Sequence, residues 1–271
     1  MTYCDLNIHC PTSSSCVLML EEELSLQGEI LVGRVHSAIY EAGSQLARAN
    51  IMLFNQNLSL EDIRKISKSA ENNKSELVLT LLASPKIIRS FSTLECYMKS
   101  GISAIKFHSY QQKISLDCFD SYVLLAKWAE QLRMPILVDA SFGSLGMYTF
   151  RNLELVAAIA SEIKNVPIVI LHSGGARAIE ALLLAEAASN IFLETSFSVP
   201  YYRNSTIEQD FAFAYKKIGA NRVVYASDFP YISHQEAMHA ALEFFETNSF
   251  DSEEQEWIFK NTFNCIFPSK V

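Results

Sequence analysis

The chain has 271 residues, which suits one (β/α)8 barrel or two smaller domains and is enough to bury a sizeable core. Its composition, 49% hydrophobic and 19% charged residues, excludes a disordered chain. The formal charge of −8 and the lack of a basic stripe argue against a nucleic-acid partner, and an anionic substrate would need local lysine or arginine side chains.

The N-terminal sequence MTYCDLNIHC has no basic stretch followed by an apolar core, which argues against a signal peptide. No apolar run reaches the length of a membrane span, so we expect no membrane partner. The six cysteines include no C-x-x-C pair, which favours reduced thiols in a cytoplasmic protein over disulfides or a cysteine-bound zinc.

Short β-rich runs alternate with helical runs through most of the chain, and several of the former are continuously apolar, as is typical of parallel strands buried on both faces. The predicted strands are residues 3–9, 51–55, 76–82, 104–108, 136–139, 168–172, 191–195 and 223–226. The predicted helices include residues 60–70, 116–133, 153–164, 176–188 and 207–219, and a final helix at residues 253–267. Ser59 and Ser115 are predicted N-caps, and Gly219 suits a helix end.

Eight strands alternating with helices predict an α/β fold, a single (β/α)8 TIM barrel over residues 1–271. The alternative is a doubly wound open sheet, which would normally carry a glycine-rich phosphate turn after its first strand. The chain instead continues as His9-Cys10-Pro11-Thr12 and a serine run. We interpret residues 13–36 as an insertion after the first strand, with a small hairpin over the barrel mouth.

Polar side chains lie at the ends of several predicted strands, where barrels carry their catalytic residues. Any one of them alone is more often a structural residue or a helix cap. Together they favour a functional site, because clustered buried charges are costly unless they are paired or bind a ligand. The residues predicted to share one mouth are Asn7, His9, Lys106, His108, Asp139, His172 and Asp228. We expect His36, His234 and His239 to be ordinary surface residues.

Five segments, in order, resemble the amidohydrolase-related family, also called amidohydrolase 2. DLNIHC is similar to its strand-one motif D-x-H-x-H, GISAIKFHSYQQ to G-x-x-G-I-K-L-H-P of strand four, and MPILVDAS to P-V-L-I-H-A of strand five. VPIVILHSGG resembles the strand-six segment with its His-x-Gly-Gly turn, and GANRVVYASDFPY resembles G-x-D-R-V-L-F-G-S-D-F-P of strand eight. The resemblance covers nearly the whole chain except residues 13–36.

The family typically holds a divalent metal with two strand-one histidines, a strand-five histidine and the strand-eight aspartate. In this sequence Asn7 and Asp139 stand where two of those histidines belong. The resemblance therefore implies a metal site of His9, Asp139 and Asp228. An amide is a poor zinc ligand and a carboxylate favours harder metals, so we expect one divalent metal, Zn or Mn, to be weakly bound or absent.

The resemblance implies a hydrolase acting on a small carboxylated or carbonyl substrate, such as a lactone, amide or ester. Asp228 would take a proton from water, and His172, which matches the family's acid–base histidine, would polarise the carbonyl or protonate the leaving group. The backbone of the turn at residues 172–175 is a further candidate to hold an anion. The predicted substrate-binding residues are Lys106, His108, Asn7 and, if it faces the mouth, Arg177.

Other functions stay open. Some relatives, the 2-pyrone-4,6-dicarboxylate lactonases, act without a metal, so lost ligands do not imply lost activity. Other relatives are non-oxidative decarboxylases or hydratases on the same barrel, which the fold cannot separate. A non-catalytic degenerate barrel with a binding role is the third reading, and the clustered ionisable groups argue against it. The expected partner is a small-molecule substrate, and a homo-oligomer is compatible with the sequence.

Overall fold

A computed structural model of the protein describes residues 2–10, 16–70, 75–142 and 145–269. Eight parallel strands form one sheet in chain order, each strand pairing with the next along the sequence. They are β1 (Tyr3–Ile8), β2 (Leu46–Leu53), β3 (Glu76–Leu82), β4 (Ile102–His108), β5 (Ile136–Asp139), β6 (Ile168–Leu171), β7 (Ile191–Glu194) and β8 (Val223–Val224).

The sheet closes between its first and last strands. The backbone N–H of Leu6 donates to the carbonyl of Tyr225 at 3.2 Å, and that of His9 donates to Phe229 at 2.7 Å. Ile8 also forms a parallel bridge with Phe229. The predicted (β/α)8 barrel is therefore confirmed, and the open sheet is wrong.

Helices follow the strands and cover the outside of the barrel. They are α1 (Cys16–Ser25), α2 (Gly28–Ala42), α3 (Leu60–Ala70), α4 (Phe91–Lys99), α5 (Phe119–Gln131), α6 (Leu145–Thr149), α7 (Asn152–Glu162), α8 (Ala178–Ala187), α9 (Ser198–Tyr201), α10 (Thr206–Ile218), α11 (His234–Thr247), α12 (Ser252–Glu256) and α13 (Thr262–Ile266). A π-helical turn, Trp257–Asn261, joins the last two into the predicted C-terminal helical segment. No helix in the described ranges is long and apolar enough to cross a membrane.

Alternation along the strands separates the barrel interior from the layer beneath the helices. In β5, Leu137 packs in an inner cluster with Ala104 and Val169, whereas Ile136 and Val138 belong to the outer core. The next inward position after Leu137 is Asp139, at the end of the strand. Because side chains alternate between the two faces of a strand, the inward position at the end of β5 places a carboxylate at the mouth of an otherwise apolar barrel.

Local signals set several element boundaries as predicted. The hydroxyl of Ser59 accepts from the backbone N–H of Asp62 at 3.1 Å, which caps α3. Gly219, with φ of 89°, ends α10. The cap predicted at Ser115 is wrong, because its side chain caps no backbone N–H and a 3-10 turn, Leu116–Cys118, precedes α5.

The hairpin predicted within residues 13–36 is also wrong, because the described part, from residue 16, folds as α1 and the start of α2. In α2 the buried residues Leu31, Val35, Ala38 and Ile39 recur at helical spacing and pack against the barrel. Residues 13–15 lie outside the described ranges. That residues 13–36 are an insertion stays a prediction.

One of the histidines expected at the surface is buried. His234, the first residue of α11, is 7% exposed and stacks on Phe229 with ring centroids 4.3 Å apart. Its Nδ1 lies 3.5 Å from Oδ2 of the fully buried Asp5. The prediction failed because helical periodicity alone does not show which helix face meets the barrel. His239 is exposed and His36 is partly exposed.

Candidate active site

A cavity of about 320 Å³ lies at the C-terminal ends of the strands. Six of the seven predicted strand-end residues contribute to its wall, and Asn7 lies fully buried beneath it. The lining residues are His9, Phe54, Lys106, His108, Tyr110, Asp139, Ser141, Phe142, Met147, His172, Phe197, Tyr201, Asp228 and Tyr231.

Asp139 is the centre of an ion cluster on one side of the cavity. Its Oδ2 lies 3.4 Å from Nζ of Lys106, 3.5 Å from Nε2 of His108 and 3.3 Å from Nε2 of His172. Its Oδ1 accepts from the hydroxyl of Ser141 at 2.5 Å. Burial alone would raise the pKa of Asp139, but the positive charges of His172 and Lys106 hold it well below its usual value.

The two histidines of this cluster differ in charge. Burial lowers the pKa of His108 to about 3, so the ring is neutral at pH 7. Burial opposes the charge on His172 as well, but Asp139, Asp228 and Glu194 raise its pKa to about 9. His172 is therefore an imidazolium at neutral pH, with a proton to donate into the cavity.

Asp228 lines the same cavity and follows β8, with a positive φ of 63°. Its backbone N–H donates to the carbonyl of Asn7 at 3.0 Å. Its Oδ1 accepts from Nδ2 of Asn7 at 2.9 Å and lies 3.5 Å from Nε2 of His9. Burial raises its pKa, but His9, His172 and Lys106 outweigh burial and lower it, so the carboxylate is ionised at pH 7.

His9 is held from the opposite side by a residue that the sequence analysis missed. Oε1 of Glu23, on α1, lies 2.6 Å from Nδ1 of His9, and Oε2 accepts from the hydroxyl of Tyr231 at 3.1 Å. Burial by itself lowers the pKa of His9, but Glu23 and Asp228 raise it overall. The only sequence signal was the acidic stretch at residues 21–23, which does not show which glutamate turns inward.

Two more missed residues lie behind His172. Its backbone N–H donates to Oε2 of Glu194 at 2.8 Å, and its Nδ1 lies 3.1 Å from the carbonyl of Ser196. The hydroxyl of Ser196 donates to Glu194 and accepts from Nδ2 of Asn7 at 3.1 Å. These bonds join the ends of β1, β6 and β7 and fix the His172 ring.

The turn after β6 does not reach the cavity. Ser173, Gly174 and Gly175 have positive φ and are buried, and none of them lines the cavity. Arg177 also lies outside the cavity wall, where its guanidinium pairs with Glu154 and Glu180. The structure therefore does not bring Arg177 or the glycine backbone to the other predicted site residues.

Aromatic side chains make up much of the remaining wall. Phe197 and Tyr201 stack with centroids 5.2 Å apart, and Nζ of Lys106 lies 4.7 Å from the ring centroid of Phe54. Sequence reasoning did not predict these residues, because isolated aromatics in loops carry no distinctive pattern. They give the cavity an apolar surface beside its charged groups.

The donor set does not fit a protein-bound metal. In the described ranges, no group of three or more histidine, cysteine, aspartate or glutamate side chains is arranged to hold a metal ion. Of the predicted ligands, His9 and Asp228 approach each other, whereas Asp139 pairs with Lys106 and the two histidines. We therefore assign no chemical step to a metal.

Comparisons with known proteins place these features in context. A family model described as amidohydrolase matches residues 93–262. No curated protein sequence matches the chain. The barrel is similar to an uncharacterized TIM-barrel protein from Bordetella bronchiseptica, with a TM-score of 0.71, 13% identity and 98% of each chain covered.

Two other solved structures carry named activities. One is a probable 2-pyrone-4,6-dicarboxylic acid hydrolase from Acinetobacter baumannii with citric acid bound, with a TM-score of 0.65, 14% identity and coverage of 98% of this chain and 99% of that one. The other is a 2,6-dihydroxybenzoate decarboxylase in complex with 2,6-dihydroxybenzoate, with a TM-score of 0.65, 12% identity and the same coverage. At such identities the likeness establishes a shared fold alone.

Proposed function

Because this chain belongs to the amidohydrolase family of enzymes, we propose that it hydrolyses a small carboxylated or carbonyl substrate, such as a lactone, amide or ester, with water activated by Asp228. One observation carries the proposal. An ionised carboxylate, Asp228, and a protonated imidazole, His172, line the same cavity. A base and an acid in one cavity are what addition of water to a carbonyl requires.

Asp228 is the base. Its Oδ1 is engaged by Asn7 and His9, and in the described ranges no group donates a hydrogen bond to Oδ2. Oδ2 is therefore the atom that takes a proton from water as the water oxygen bonds to the carbonyl carbon. In this proposal Asn7 orients the base and does not contact the substrate, since it is fully buried beneath the cavity.

His172 is the acid. The carbonyl oxygen becomes an oxyanion when water adds, and the imidazolium of His172 or the ammonium of Lys106 stabilises that charge. As the tetrahedral intermediate collapses, the bond from carbon to the leaving oxygen or nitrogen breaks. The leaving group takes a proton from Nε2 of His172. Asp228 then releases to solvent the proton that it took from water, and His172 takes one proton back from solvent, which restores both groups.

The cavity favours a compact substrate. Its volume of about 320 Å³ is near the lower end of small-molecule sites. Lys106 and neutral His108 offer donors for a substrate carboxylate, and Phe54, Phe197 and Tyr201 offer apolar contact. Asp139 offsets part of the positive charge, so the site suits a weakly charged small molecule better than a polyanion.

A substrate screen tests the proposal. Purified protein is incubated with lactones, esters and amides that carry a carboxylate, and with aryl carboxylic acids. We expect ring opening or acid release from the first set, lost in the Asp228→Asn variant. Release of CO2 from the aryl acids would assign a decarboxylase, and saturable binding without turnover of any compound would favour a binding role.

A further inference from the structure

Helix α1 contacts the active site through Glu23. Glu23 is buried, with its side chain 2% exposed, and in the described ranges it pairs with no lysine or arginine. A buried carboxylate without such a partner is costly unless other groups hydrogen bond to it. Here those groups are His9 and Tyr231.

We propose that Glu23 is a positioning residue of the active site, which fixes the His9 ring with Nδ1–H toward α1 and Nε2 toward Asp228. An acceptor 2.6 Å from Nδ1 requires the proton on that nitrogen and sets the plane of the ring. Nε2 then lies 3.5 Å from Oδ1 of Asp228. Edge-on contacts with Phe54 and Tyr231, at centroid distances of 4.8 Å and 5.3 Å, confine the ring further.

A second path of hydrogen bonds joins Glu23 to Asp228 through Tyr231. The hydroxyl of Tyr231 donates to Oε2 of Glu23, and the backbone N–H of Tyr231 donates to the carbonyl of Asp228 at 2.9 Å. One carboxylate on α1 therefore ties together the residue after β1 and the turn after β8. His9 and Tyr231 each contact Asp228, so loss of Glu23 should weaken the positioning of the proposed base through both residues.

This role lies in a segment, residues 13–36, that the family motifs do not cover. The proposal that Glu23 positions His9 does not depend on any reaction, whereas the effect of Glu23 on turnover rests on the proposed function. The experiment is therefore divided into an arm that needs no substrate and an arm that does.

The first arm is nitrogen-15 NMR of the His9 imidazole at pH 7, assigned by the loss of its signals in the His9→Asn variant. We expect Nδ1 to carry a proton in the wild type and to keep it in Glu23→Gln, whose amide oxygen still accepts. The Nδ1 proton should resonate at lower chemical shift in Glu23→Gln, because a neutral acceptor makes a weaker hydrogen bond than a carboxylate.

In Glu23→Met, which has similar length and no acceptor, the proton should leave Nδ1, because Asp228 is then the acceptor nearest the ring. The matched controls are Glu21→Gln and Glu21→Met, at an exposed position on the same helix, and we expect His9 signals like those of the wild type. An unprotonated Nδ1 in the wild type, or identical His9 signals in both Glu23 variants and the wild type, would overturn the proposal. If Glu23→Met does not fold, the shift in Glu23→Gln decides.

The second arm measures turnover on a substrate from the screen. Loss of the partner that orients a metal-bound histidine typically costs roughly 10–100-fold in activity, and we expect an effect of the same scale at His9. We expect Glu23→Met to lower kcat by that factor with little change in KM, Glu23→Gln to retain part of the rate, and both Glu21 variants to match the wild type. A normal kcat with a displaced Nδ1 proton would refute the catalytic effect. A failed substrate screen would count against the proposed function and leave the NMR result intact.

Discussion

The side-chain amide of Asn7 donates a 2.9 Å hydrogen bond to Oδ1 of Asp228, which joins the end of β1 to the turn after β8. The backbones of the two residues are joined as well, since the N–H of Asp228 donates to the carbonyl of Asn7. Asn7 stands where the family motif has a histidine, and here its side chain holds the carboxylate of Asp228.

Asp228→Asn should lower turnover by about 10²–10⁴-fold, the usual contribution of a general base, because the variant keeps the shape and loses the basicity. Asparagine also tolerates the positive φ at this position, so the fold should survive. Steady-state kinetics and thermal melting measure both. Asp117→Asn, at an exposed position, is the control. Full activity in Asp228→Asn would reduce Asp228 to a cap and end its catalytic assignment.

Asn7→Ala should lower kcat more than it raises KM, because Asn7 contacts Asp228 and Ser196 beneath the cavity rather than the substrate. The variant should also be less stable, since Asp228 and Ser196 each lose a buried hydrogen bond, at about 1 kcal/mol each. Separate kcat and KM values, with urea unfolding, test this. A rise in KM alone would mean that Asn7 binds substrate directly.

Both the stability and the activity of the protein should fall at alkaline pH, as His172 loses its proton. Its pKa rises from 6.5 in the unfolded chain to about 9 in the fold, so its stabilisation is complete below pH 6.5 and is lost as the pH rises through 9. Melting temperatures of the wild type and His172→Ala should therefore converge between those two values. His172→Ala should impair turnover less than Asp228→Asn does, because Lys106 shares the oxyanion. A constant difference in melting temperature between the wild type and His172→Ala across this pH range would contradict the positive charge assigned to His172.

His108 should act in the opposite direction. Its pKa falls from 6.5 to about 3 on folding, so the stabilisation that it contributes is present above pH 6.5 and is lost as the pH falls toward 3. His108→Gln should lessen the acid sensitivity of the fold relative to the wild type. Circular dichroism melts between pH 4 and 7 measure the difference, and a wild-type pH dependence in the variant would argue against a neutral His108.

Metal content is predicted to be low. Asn7 replaces one ligand and Asp139 is engaged by Lys106, His108 and His172, so zinc or manganese should not survive dialysis against a mild chelator. Elemental analysis before and after dialysis, with turnover measured in both samples, tests this. Stoichiometric zinc after dialysis would show that the side chains rearrange to bind it.

The turn after β6 requires glycine. Gly175 has φ of 54°, and an added Cβ would lie 3.0 Å from Cβ of Phe142 and 3.1 Å from its backbone nitrogen. Gly175→Ala should therefore lower the free energy of unfolding by roughly 1–3 kcal/mol. The control is Gly33→Ala in α2, where an added Cβ would meet nothing within 4 Å. This substitution should raise the free energy of unfolding by about 0.5–1 kcal/mol. Equal changes in the free energy of unfolding for Gly175→Ala and Gly33→Ala would refute backbone strain at residue 175.

Most of the fold was predictable from the sequence because its signals are local. Apolar strand runs and helical periodicity identified β3, β5 and α3 with their observed bounds. The prediction was weaker at β2, which begins at Leu46 and not at residue 51, at β8, which ends at Val224, and at α1, which the hairpin interpretation missed. A two-residue strand holds its place by pairing with its neighbours, and composition alone does not show that.

For the candidate site, the sequence by itself determined which polar side chains end the strands, because alternation of period two and parallel strands bring such ends to one mouth. Only the tertiary structure decided what they do there. It turned Arg177 toward Glu154 and Glu180, placed Asn7 under Asp228, and brought Glu23 from α1 to His9. The physical reason is that a strand end fixes a position along the chain, whereas a contact between groups distant in sequence depends on how helices and loops pack around the barrel.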